Sequence, residues 1–397
     1  MTFWKPSDQL LGRKRLRANR YRRILIVATR QIGDVLCTTP LIRRAREVWP
    51  NAVIDVLGYE KTMGMLKGNP LIDEVIESSE HPRWSEYRVL LRRIFRKYDL
   101  AIVTQPSDRA HLYGLMAAPH RVGIVPSRLD HSWWKNAMSM ATLTMDGATR
   151  HVVVDRARLI HFFDQTESPP RLDPPEIEGL PLPLGDWLIN RRVIVIHATP
   201  MWRYKQWPSE RWARLIHRLV SQGLSIVLTG SSSSTDKAMN EEILRLLPDE
   251  CRADIYNAAG TLSLGQVTDL MTKACLYLGV DTSITHQAAA VGLPVLAIFG
   301  PTTPVNFGPW PKGFDWSIEC DSPWSRQGSD LSVGHRFQNL GNVTIIQGPG
   351  GCVPCMKGGC EDHVQSHSQC LIDLDERVIL KQVDRLLGEA LQEGHAA

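Results

Sequence analysis

One stretch of the sequence, Leu278–Trp310, limits the fold more than any other. Its first residues belong to the apolar run Ala274–Gly279, and this run predicts a buried strand. A helix over Ile284–Val291 and a second buried strand over Val295–Phe299 then follow. A strand–helix–strand unit of this kind builds a parallel sheet, with the helix beginning at the carboxyl edge of the strands. The stretch therefore predicts an α/β fold.

The residues just before this helix predict an anion site. Asp281, Thr282 and Ser283 occupy the expected N-cap region, where free N–H groups and the positive end of the helix dipole favour a phosphate. An ordinary capped helix is the alternative. His286 on the first turn of the helix and the GPTTP sequence after the second strand favour the ligand site.

Apolar strands alternate with helices in both halves of the chain, and 397 residues are too many for one core. We therefore predict two Rossmann-like, doubly wound domains that face an interdomain cleft. Prolines crowd residues 168–184, which predicts a linker without regular structure. Residues 126–145 and 321–341 are predicted to be irregular. The predicted parts are a basic arm (1–22), an N-terminal domain (23–167), the linker (168–184), a C-terminal domain (185–374) with a Cys-rich loop (350–370), and a C-terminal helix (375–397).

The first loop of the N-terminal domain carries a lone carboxylate. The buried strand Arg23–Ala28 is followed by Gly33 and Asp34, at the edge where doubly wound folds keep their sites. A GxGxxG fingerprint would belong here and is absent, which disfavours a nicotinamide dehydrogenase. Asp34 either caps the next helix or acts as a general base that faces the cleft.

Loops of the C-terminal domain carry polar groups at the same kind of edge. Thr199 and Lys205 follow the strand Val193–His197, and a lysine there can neutralise a phosphate, although a surface lysine is the alternative. Gly230 and Ser231 follow the next strand and can approach a phosphate or a ribose. Asp236 either accepts hydrogen bonds from ribose hydroxyls or marks a helix start.

Four cysteines lie close together in a Gly-rich loop near the end of the chain. Soft ligands at such short spacing can hold a tetrahedral structural zinc. A reduced loop without metal and a disulfide are the alternatives. The four residues are Cys352, Cys355, Cys360 and Cys370.

The start of the chain is basic, whereas the net charge of the whole chain is only +4. Such an arm can contact an anionic membrane surface or nucleic acid, or it can be a solvated tail; its apolar residues favour the membrane. No apolar segment of a signal peptide follows, and no run approaches the about 20 apolar residues of a membrane span. We expect a cytoplasmic protein that touches the inner membrane and does not bind nucleic acid.

Three pieces of the sequence resemble the ADP-heptose:lipopolysaccharide heptosyltransferases, a family of inverting, metal-independent glycosyltransferases with the GT-B fold. The pieces occur in the family's order, span most of the chain, and are trailed by a Cys-x2-Cys loop that many members have. They are RILIVATRQIGDVLCTTPLIRRAREVWPNAVIDVLGY, HATPMWRYKQWPSERWARLI and GVDTSITHQAAAVGLPVLAIFGPTTPVNFGPW.

The resemblance implies a role for each matching residue. Asp34 matches the family's general base and Lys205 the lysine that contacts the donor phosphate, with Thr199 on the same loop. Ser283 departs from the pattern, because the family more often has glycine there. The other donor contacts that the resemblance implies are Asp281, Thr282, His286, the ribose contact Asp236 and the adenine-facing backbone of Leu262.

The resemblance also implies a reaction, which is transfer of heptose from ADP-heptose to a lipopolysaccharide core or related glycan, with no cofactor required for catalysis. Asp34 would take the acceptor proton, while Lys205 and the helix end at Thr282 would offset the charge of the leaving diphosphate. Two alternatives stay open. One is another GT-B enzyme that uses a different nucleotide sugar, including an epimerase. The other is a non-catalytic nucleotide-binding protein.

Overall fold

The computed structural model describes residues 21–127, 132–145, 147, 149–317, 319–325 and 336–393. The basic arm predicted over residues 1–22 lies outside the described residues except for Tyr21 and Arg22. The chain folds into two compact units, Met1–Pro175 with Asp315–Ser322 and Glu176–Phe314 with Pro323–Ala397. Among the described residues, no helix is long and apolar enough to cross a bilayer.

The first unit is built on a six-stranded parallel sheet with the order β3-β2-β1-β4-β5-β6. Its central strand has the sequence RILIVA and is buried from its second residue onward, because helices cover both faces of the sheet. The strands are β1 (Arg23–Ala28), β2 (Val53–Tyr59), β3 (Glu74–Ser78), β4 (Leu100–Val103), β5 (His120–Val125) and β6 (Ala141–Thr144).

Seven helices lie in the described residues of this unit, and two of them matter most for the site. The first follows β1 directly, and the last lies near the end of the unit with every residue buried. The helices are α1 (Ile32–Leu36), α2 (Thr39–Val48), α3 (Glu60–Met63), α4 (Trp84–Ile94), α5 (Asp108–Ala117), α6 (Trp133–Ala137) and α7 (Val152–Ala157), with 3-10 turns at Gly64–Leu66 and Ile160–Phe162.

The described strands of the second unit form a seven-stranded sheet with the order β12-β13-β11-β10-β7-β8-β9, in which β12 and β13 pair antiparallel and the other pairs are parallel. Its core includes two fully buried indoles, Trp207 and Trp212, whose rings meet edge to face at 4.8 Å. The strands are β7 (Val193–His197), β8 (Ser225–Leu228), β9 (Ile255–Asn257), β10 (Leu276–Val280), β11 (Val295–Phe299), β12 (Arg336–Leu340) and β13 (Val343–Gln347).

Eight helices are found in the part of the second unit that the structure describes. The last and longest packs on the core of this unit through Ile379, Val383 and neighbouring apolar residues. The helices are α8 (Leu182–Trp187), α9 (Ser209–Ser221), α10 (Ser234–Arg245), α11 (Leu264–Lys273), α12 (Ser283–Val291), α13 (Pro304–Phe307), α14 (Gln369–Ile372) and α15 (Glu376–Glu393), with 3-10 turns at Arg203–Lys205 and Asp249–Asp254.

The predicted fold class, α/β with two doubly wound sheets, is confirmed, but three local predictions were wrong. Helix α8 begins inside the Pro-rich segment 168–184, because Pro181 is its N-cap and Pro183 lies in its first turn, where no backbone N–H is needed. Strand β6 lies in residues 126–145. Strand β12 lies in residues 321–341 and pairs with β13 across a turn at Gly341, whose φ of +55° suits glycine.

One segment of the C-terminal half packs with the first unit. The backbone N–H of His151 donates to the Asp321 carbonyl at 2.8 Å. The Asp321 carboxylate pairs with Arg150 at 3.2 Å and with Arg158 at 2.9 Å. Residues 315–322 therefore belong to the first unit, although 185–374 were predicted to form one domain.

Candidate functional site

Each sheet has one place where the strand order reverses direction. In the first unit this place lies between β1 and β4, and in the second between β7 and β10. Doubly wound folds bind their ligands beyond the carboxyl ends of the strands at such a switch point. Asp34 follows β1, Lys205 follows β7 and Asp281 follows β10, so the principal predicted residues lie at the two switch points.

Asp34 lies in the first turn of α1, where its side chain is 12% exposed. Its Oδ1 accepts a hydrogen bond from Arg156 Nη2 at 2.5 Å, and its Oδ2 lies 3.4 Å from Arg30 Nε. Arg156 Nη1 also donates to the Asp34 carbonyl at 2.5 Å. The position before α1 provides no side-chain cap, so Asp34 is held by two arginines rather than serving as the N-cap.

Arg156 reaches Asp34 from α7, and its side chain is only 3% exposed. A guanidinium that donates to a backbone carbonyl and a carboxylate of the same residue fixes the position of that side chain. The neighbouring thiol of Cys37 is fully buried, and burial raises its pKa to about 12. Arg156 lowers that pKa and Asp34 raises it, but both effects are smaller than burial. Cys37 is therefore a protonated, unreactive packing residue beneath the carboxylate.

Lys205 and Asp281 form the corresponding ion pair in the second unit. Lys205 Nζ lies 2.6 Å from Asp281 Oδ2, with side chains that are 19% and 7% exposed. The same oxygen accepts a hydrogen bond from Thr302 Oγ1 at 2.9 Å. The loop after β7, the loop after β10 and the GPTTP turn after β11 are thus joined at one carboxylate, and the ammonium is held at the sheet edge.

The N-terminus of α12 begins beside this pair. Its N-cap, Thr282, makes no side-chain capping bond in the described structure. Its hydroxyl instead lies 3.3 Å from Thr285 Oγ1, which donates to the Val280 carbonyl at 2.6 Å. The first N–H groups of the helix are therefore not capped by Thr282, as an anion site requires. Ser283 is the first residue of the helix, and His286 is buried one turn later.

Thr199 is buried at the neighbouring strand end. Because Gly279 pairs with His197, Thr199 and Asp281 each stand two residues beyond paired positions of β7 and β10. Thr199 Oγ1 has no hydrogen-bond partner among the described residues. A buried hydroxyl without a partner is costly in a folded protein and indicates a place for a polar ligand.

His197 lies under the Thr199 loop and was not predicted as a site residue. Its Nδ1 is 2.9 Å from Thr229 Oγ1, and its ring also bonds the Thr199 backbone. Burial lowers the pKa of His197 to about 4, while Asp236 and the Thr199 backbone raise it by smaller amounts. His197 is therefore a neutral ring that fixes the start of the loop carrying Lys205. A histidine ending an otherwise apolar strand was the signal in the sequence.

The loop after β8 brings together the other predicted donor contacts. Asp236 accepts hydrogen bonds from Ser231 N at 2.7 Å and from Ser233 Oγ at 2.9 Å, so it orders its own loop. A Cβ on Gly230 would lie 3.2 Å from Ala259 Cβ, which leaves room only for glycine or a shifted neighbour. Leu262 packs at the edge of the apolar core of the second unit. The predicted ribose and adenine contacts remain predictions.

The zinc prediction for Cys352, Cys355, Cys360 and Cys370 finds no support in the structure. All four are free thiols, and Cys352 and Cys360 are exposed. Among the described residues, no three His, Cys, Asp or Glu side chains are grouped closely enough to hold a metal ion. The Sγ of Cys360 accepts the Gln369 N–H at 3.3 Å instead. Burial and then the three other thiols raise the pKa of Cys370 to about 12.

The loop that carries these cysteines contacts two turns of the second unit. The backbone N–H of Met356 donates to the Pro301 carbonyl at 2.9 Å, and Ser368 Oγ donates to the Tyr204 carbonyl at 2.6 Å. One contact therefore reaches the GPTTP turn and the other the turn that ends at Lys205. This bracing role was not predicted, because nothing local in a Gly-rich loop indicates which distant turn it packs on.

The sequence matches the family model described as glycosyltransferase family 9 (heptosyltransferase) over residues 87–317, which is more than half of the chain. Lipopolysaccharide heptosyltransferase 3 of Escherichia coli K12 is 28% identical over 296 residues, covering 70% of this chain and 82% of that protein. Lipopolysaccharide heptosyltransferase 2 of Salmonella typhimurium is 25% identical over 394 residues, covering 92% of this chain and 99% of that protein.

A solved structure agrees with these sequence matches. The Escherichia coli ADP-heptose lipopolysaccharide heptosyltransferase II superposes with a TM-score of 0.67 at 22% identity, covering 94% of this chain and 99% of that one. At this identity the similarity shows the fold, which agrees with the predicted GT-B class.

Proposed function

Because this chain belongs to glycosyltransferase family 9, the heptosyltransferases, we propose that it moves heptose from ADP-heptose to a lipopolysaccharide core sugar. The donor and acceptor follow the names of its relatives, which include an ADP-heptose lipopolysaccharide heptosyltransferase. The observation that carries the proposal is the Lys205–Asp281 pair beside the uncapped N-terminus of α12. This arrangement suits a leaving nucleoside diphosphate.

In the proposed reaction, the Asp34 carboxylate takes the proton of the acceptor hydroxyl. The acceptor oxygen then bonds to the anomeric carbon of the heptose, on the face opposite to the ADP. The bond between that carbon and the ADP oxygen breaks, and its electron pair leaves with ADP, so the configuration inverts. Arg156 and Arg30 hold the carboxylate in place, with nitrogen–oxygen distances of 2.5 Å and 3.4 Å.

The leaving diphosphate gains negative charge as the glycosidic bond breaks. Lys205 Nζ and the first N–H groups of α12 supply the opposing positive charge, and preorganised groups of this kind stabilise a transition state most effectively. Thr199 Oγ1 would donate to a donor oxygen, which gives this buried hydroxyl a partner. Asp236, Leu262 and His286 complete the proposed donor site.

We propose that no metal ion takes part in this step. The sequence has a single Asp-x-Asp pattern, Asp373 to Asp375, a pattern that can bind a metal–diphosphate complex. Asp375 Oδ2 pairs with Arg377 at 2.7 Å and with Arg211 at 3.7 Å. The hydrogen bond from the Arg377 side chain is the largest cause of the lowered pKa of the Asp375 carboxyl group. The carboxylate thus anchors the start of α15 rather than offering free metal ligands.

The proposed site of action is the cytoplasmic face of the inner membrane, where a lipid-anchored core acceptor would be within reach. The basic arm, residues 1–22, is proposed to help hold the enzyme there. This part of the proposal rests on the composition of the arm, which lies almost entirely outside the described residues.

The test is a turnover assay with purified full-length protein, ADP-heptose and a core acceptor that lacks heptose. We expect ADP release together with a product heavier by one heptose, and no comparable turnover with UDP-, GDP- or dTDP-sugars. Addition of EDTA should leave the rate unchanged. Efficient transfer from a different nucleotide sugar would contradict ADP-heptose as the donor. Isomerisation of the donor without transfer would contradict the proposed transferase activity.

A further inference from the structure

The outer side of α4 in the first unit exposes large apolar side chains. Trp84, Val89 and Phe95 are 76%, 65% and 56% exposed. The helix is nevertheless well anchored, because Leu90 and Ile94 on its opposite side are buried in the core of the unit. The exposed rings are therefore not needed to attach α4 to its own sheet, and these large apolar side chains are available to contact a surface outside the unit.

Helical spacing places the two rings on one side of α4. Trp84 is the first residue of the helix and Phe95 is its C-cap. A separation of eleven residues is close to three full turns, so the rings lie on the same side and about 16 Å apart. Arg88 and Arg92 follow Trp84 at one-turn intervals on that side. Neither arginine forms a salt bridge within the described residues.

The surrounding charge is strongly positive. Arg93 pairs with Glu74 at 2.5 Å, and Arg96 lies 5.6 Å from the centre of the Phe95 ring. The acidic Glu86 is occupied at the helix start, where it accepts from Arg83 N at 2.7 Å. The segment from Trp84 to Lys97 has one acidic side chain and five cationic ones, which are Arg88, Arg92, Arg93, Arg96 and Lys97.

We propose that this outer face of α4, formed by Trp84, Arg88, Val89, Arg92 and Phe95, docks on an anionic lipid bilayer. The rings would enter the boundary between headgroups and acyl chains, where aromatic side chains are favoured, and the arginines would meet lipid phosphates. The inference goes beyond the proposed reaction, because docking does not depend on turnover.

Charge and shape favour a bilayer over a protein. A second copy of the chain packed symmetrically on this face would bring the same unpaired arginines against each other, which is unfavourable. The face is one convex helix with arginines between its apolar side chains, whereas a protein partner usually requires a continuous apolar centre. A bilayer accepts both kinds of group at once.

Docking by α4 would also orient the first unit. The short connection 79–83 joins the end of strand β3 to the start of α4. The Trp84 end of the helix therefore lies on the side of the sheet where the parallel strands end. Asp34 follows β1 at the same edge. Trp84 in the bilayer would thus bring the acceptor-side edge of the sheet towards the membrane.

The test is sedimentation of the full-length protein with phosphatidylcholine vesicles that either contain or lack phosphatidylglycerol. We expect Arg88→Gln with Arg92→Gln to weaken binding to the anionic vesicles about 30-fold. Trp84→Ser with Phe95→Ser should weaken binding to a similar extent. Turnover with a detached, soluble acceptor should stay within twofold of the wild type for both double variants, which separates this test from that of the reaction.

Two control pairs change the second unit in the same way. Arg245→Gln with Arg252→Gln removes two exposed arginines, and Leu182→Ser with Ile189→Ser removes two exposed apolar side chains. Both pairs should bind vesicles like the wild type. The proposal is overturned if the α4 variants also bind like the wild type, or if the arginine control weakens binding equally. Loss of a dimer in the α4 variants without any loss of lipid binding would also overturn it.

Discussion

The two switch points of this enzyme carry ion pairs of opposite polarity. In the first unit, the side chain proposed to act on the substrate is a carboxylate, Asp34, and its partner Arg156 is nearly buried. In the second unit, the proposed acting side chain is an ammonium, Lys205, and its partner Asp281 is nearly buried. In both pairs the more exposed member is the one that would meet the substrate, and the more buried member holds it.

The difference in polarity matches the charge that develops at each ion pair in the proposed reaction. A hydroxyl that loses a proton needs a negative acceptor, whereas a diphosphate that departs needs positive charge. Each buried partner holds its proposed acting group in place and limits its rotamers. The comparison predicts that replacing an acting group mainly lowers turnover, and that replacing a buried partner mainly lowers stability.

The sharpest test is Asp34→Asn, which keeps the shape of the side chain and removes the base. We expect kcat to fall about 10²–10⁴-fold, with the KM for the donor little changed, because the proposed donor site belongs to the other unit. Asp108→Asn is the matched control, since Asp108 begins α5 beyond β4 at the same sheet edge and is 70% exposed. Unchanged turnover in Asp34→Asn would refute the base assignment.

Lys205→Ala tests the opposite polarity. We expect kcat to fall about 10²–10³-fold and the donor to bind more weakly, because Asp281 then faces the diphosphate without its counter-charge. Lys273→Ala is the control, since Lys273 forms the same kind of pair with Asp269 at the C-terminal end of α11. Steady-state kinetics and calorimetric donor titration measure both effects. Intact donor affinity and rate in Lys205→Ala would contradict the phosphate role.

Arg156→Met tests whether the buried partner acts mainly through stability. Its loss leaves Asp34 with Arg30 alone, at 3.4 Å. Breaking such a nearly buried pair should lower the free energy of unfolding by about 3 kcal/mol. Arg30→Met, which removes the more exposed partner of the same carboxylate, should cost less than about 1 kcal/mol. Urea denaturation followed by circular dichroism compares the two. Equal decreases in the free energy of unfolding in the two variants would show that burial does not determine how much Arg156 contributes to stability.

Both proposed acting groups and one buried partner, Asp281, could be predicted from sequence, but the other buried partner, Arg156, could not. Asp34, Lys205 and Asp281 each follow an apolar strand closely, so strand prediction alone locates them at a sheet edge. Arg156 is 122 residues from Asp34 in sequence, and only the packing of α7 brings it there. Strand β12 was missed for a similar reason, because its half-exposed residues become a strand only through pairing with β13.

The second switch point also contains a buried titratable side chain, His197, which holds the start of the loop carrying Lys205. The pKa of His197 is lowered to about 4 from 6.5 in the folded state, so the unfolded chain binds more protons between these values. The contribution of neutral His197 to the free energy of unfolding should therefore be fully present above pH 6.5. It should decrease as the pH drops, by about 2 kcal/mol at pH 5. Urea denaturation across this range should show a shallower dependence in His197→Asn. An identical slope would remove His197 as the cause.

The smallest expected effect comes from removing the Thr199 hydroxyl, which tests whether this group binds the donor or stabilises the fold. Thr199→Val removes a buried hydroxyl without a partner in the described structure, so stability should stay equal or rise slightly. Donor affinity should fall about 5–10-fold, through the loss of one hydrogen bond. Thr229→Val is the control, because that hydroxyl contacts His197 at 2.9 Å and the Ile196 carbonyl at 3.2 Å. The main effect of Thr229→Val should be a lower free energy of unfolding.

Unchanged donor affinity in Thr199→Val would mean that the Thr199 hydroxyl does not face the donor. The polar groups proposed for the second switch point would then be reduced to Lys205 and the start of α12.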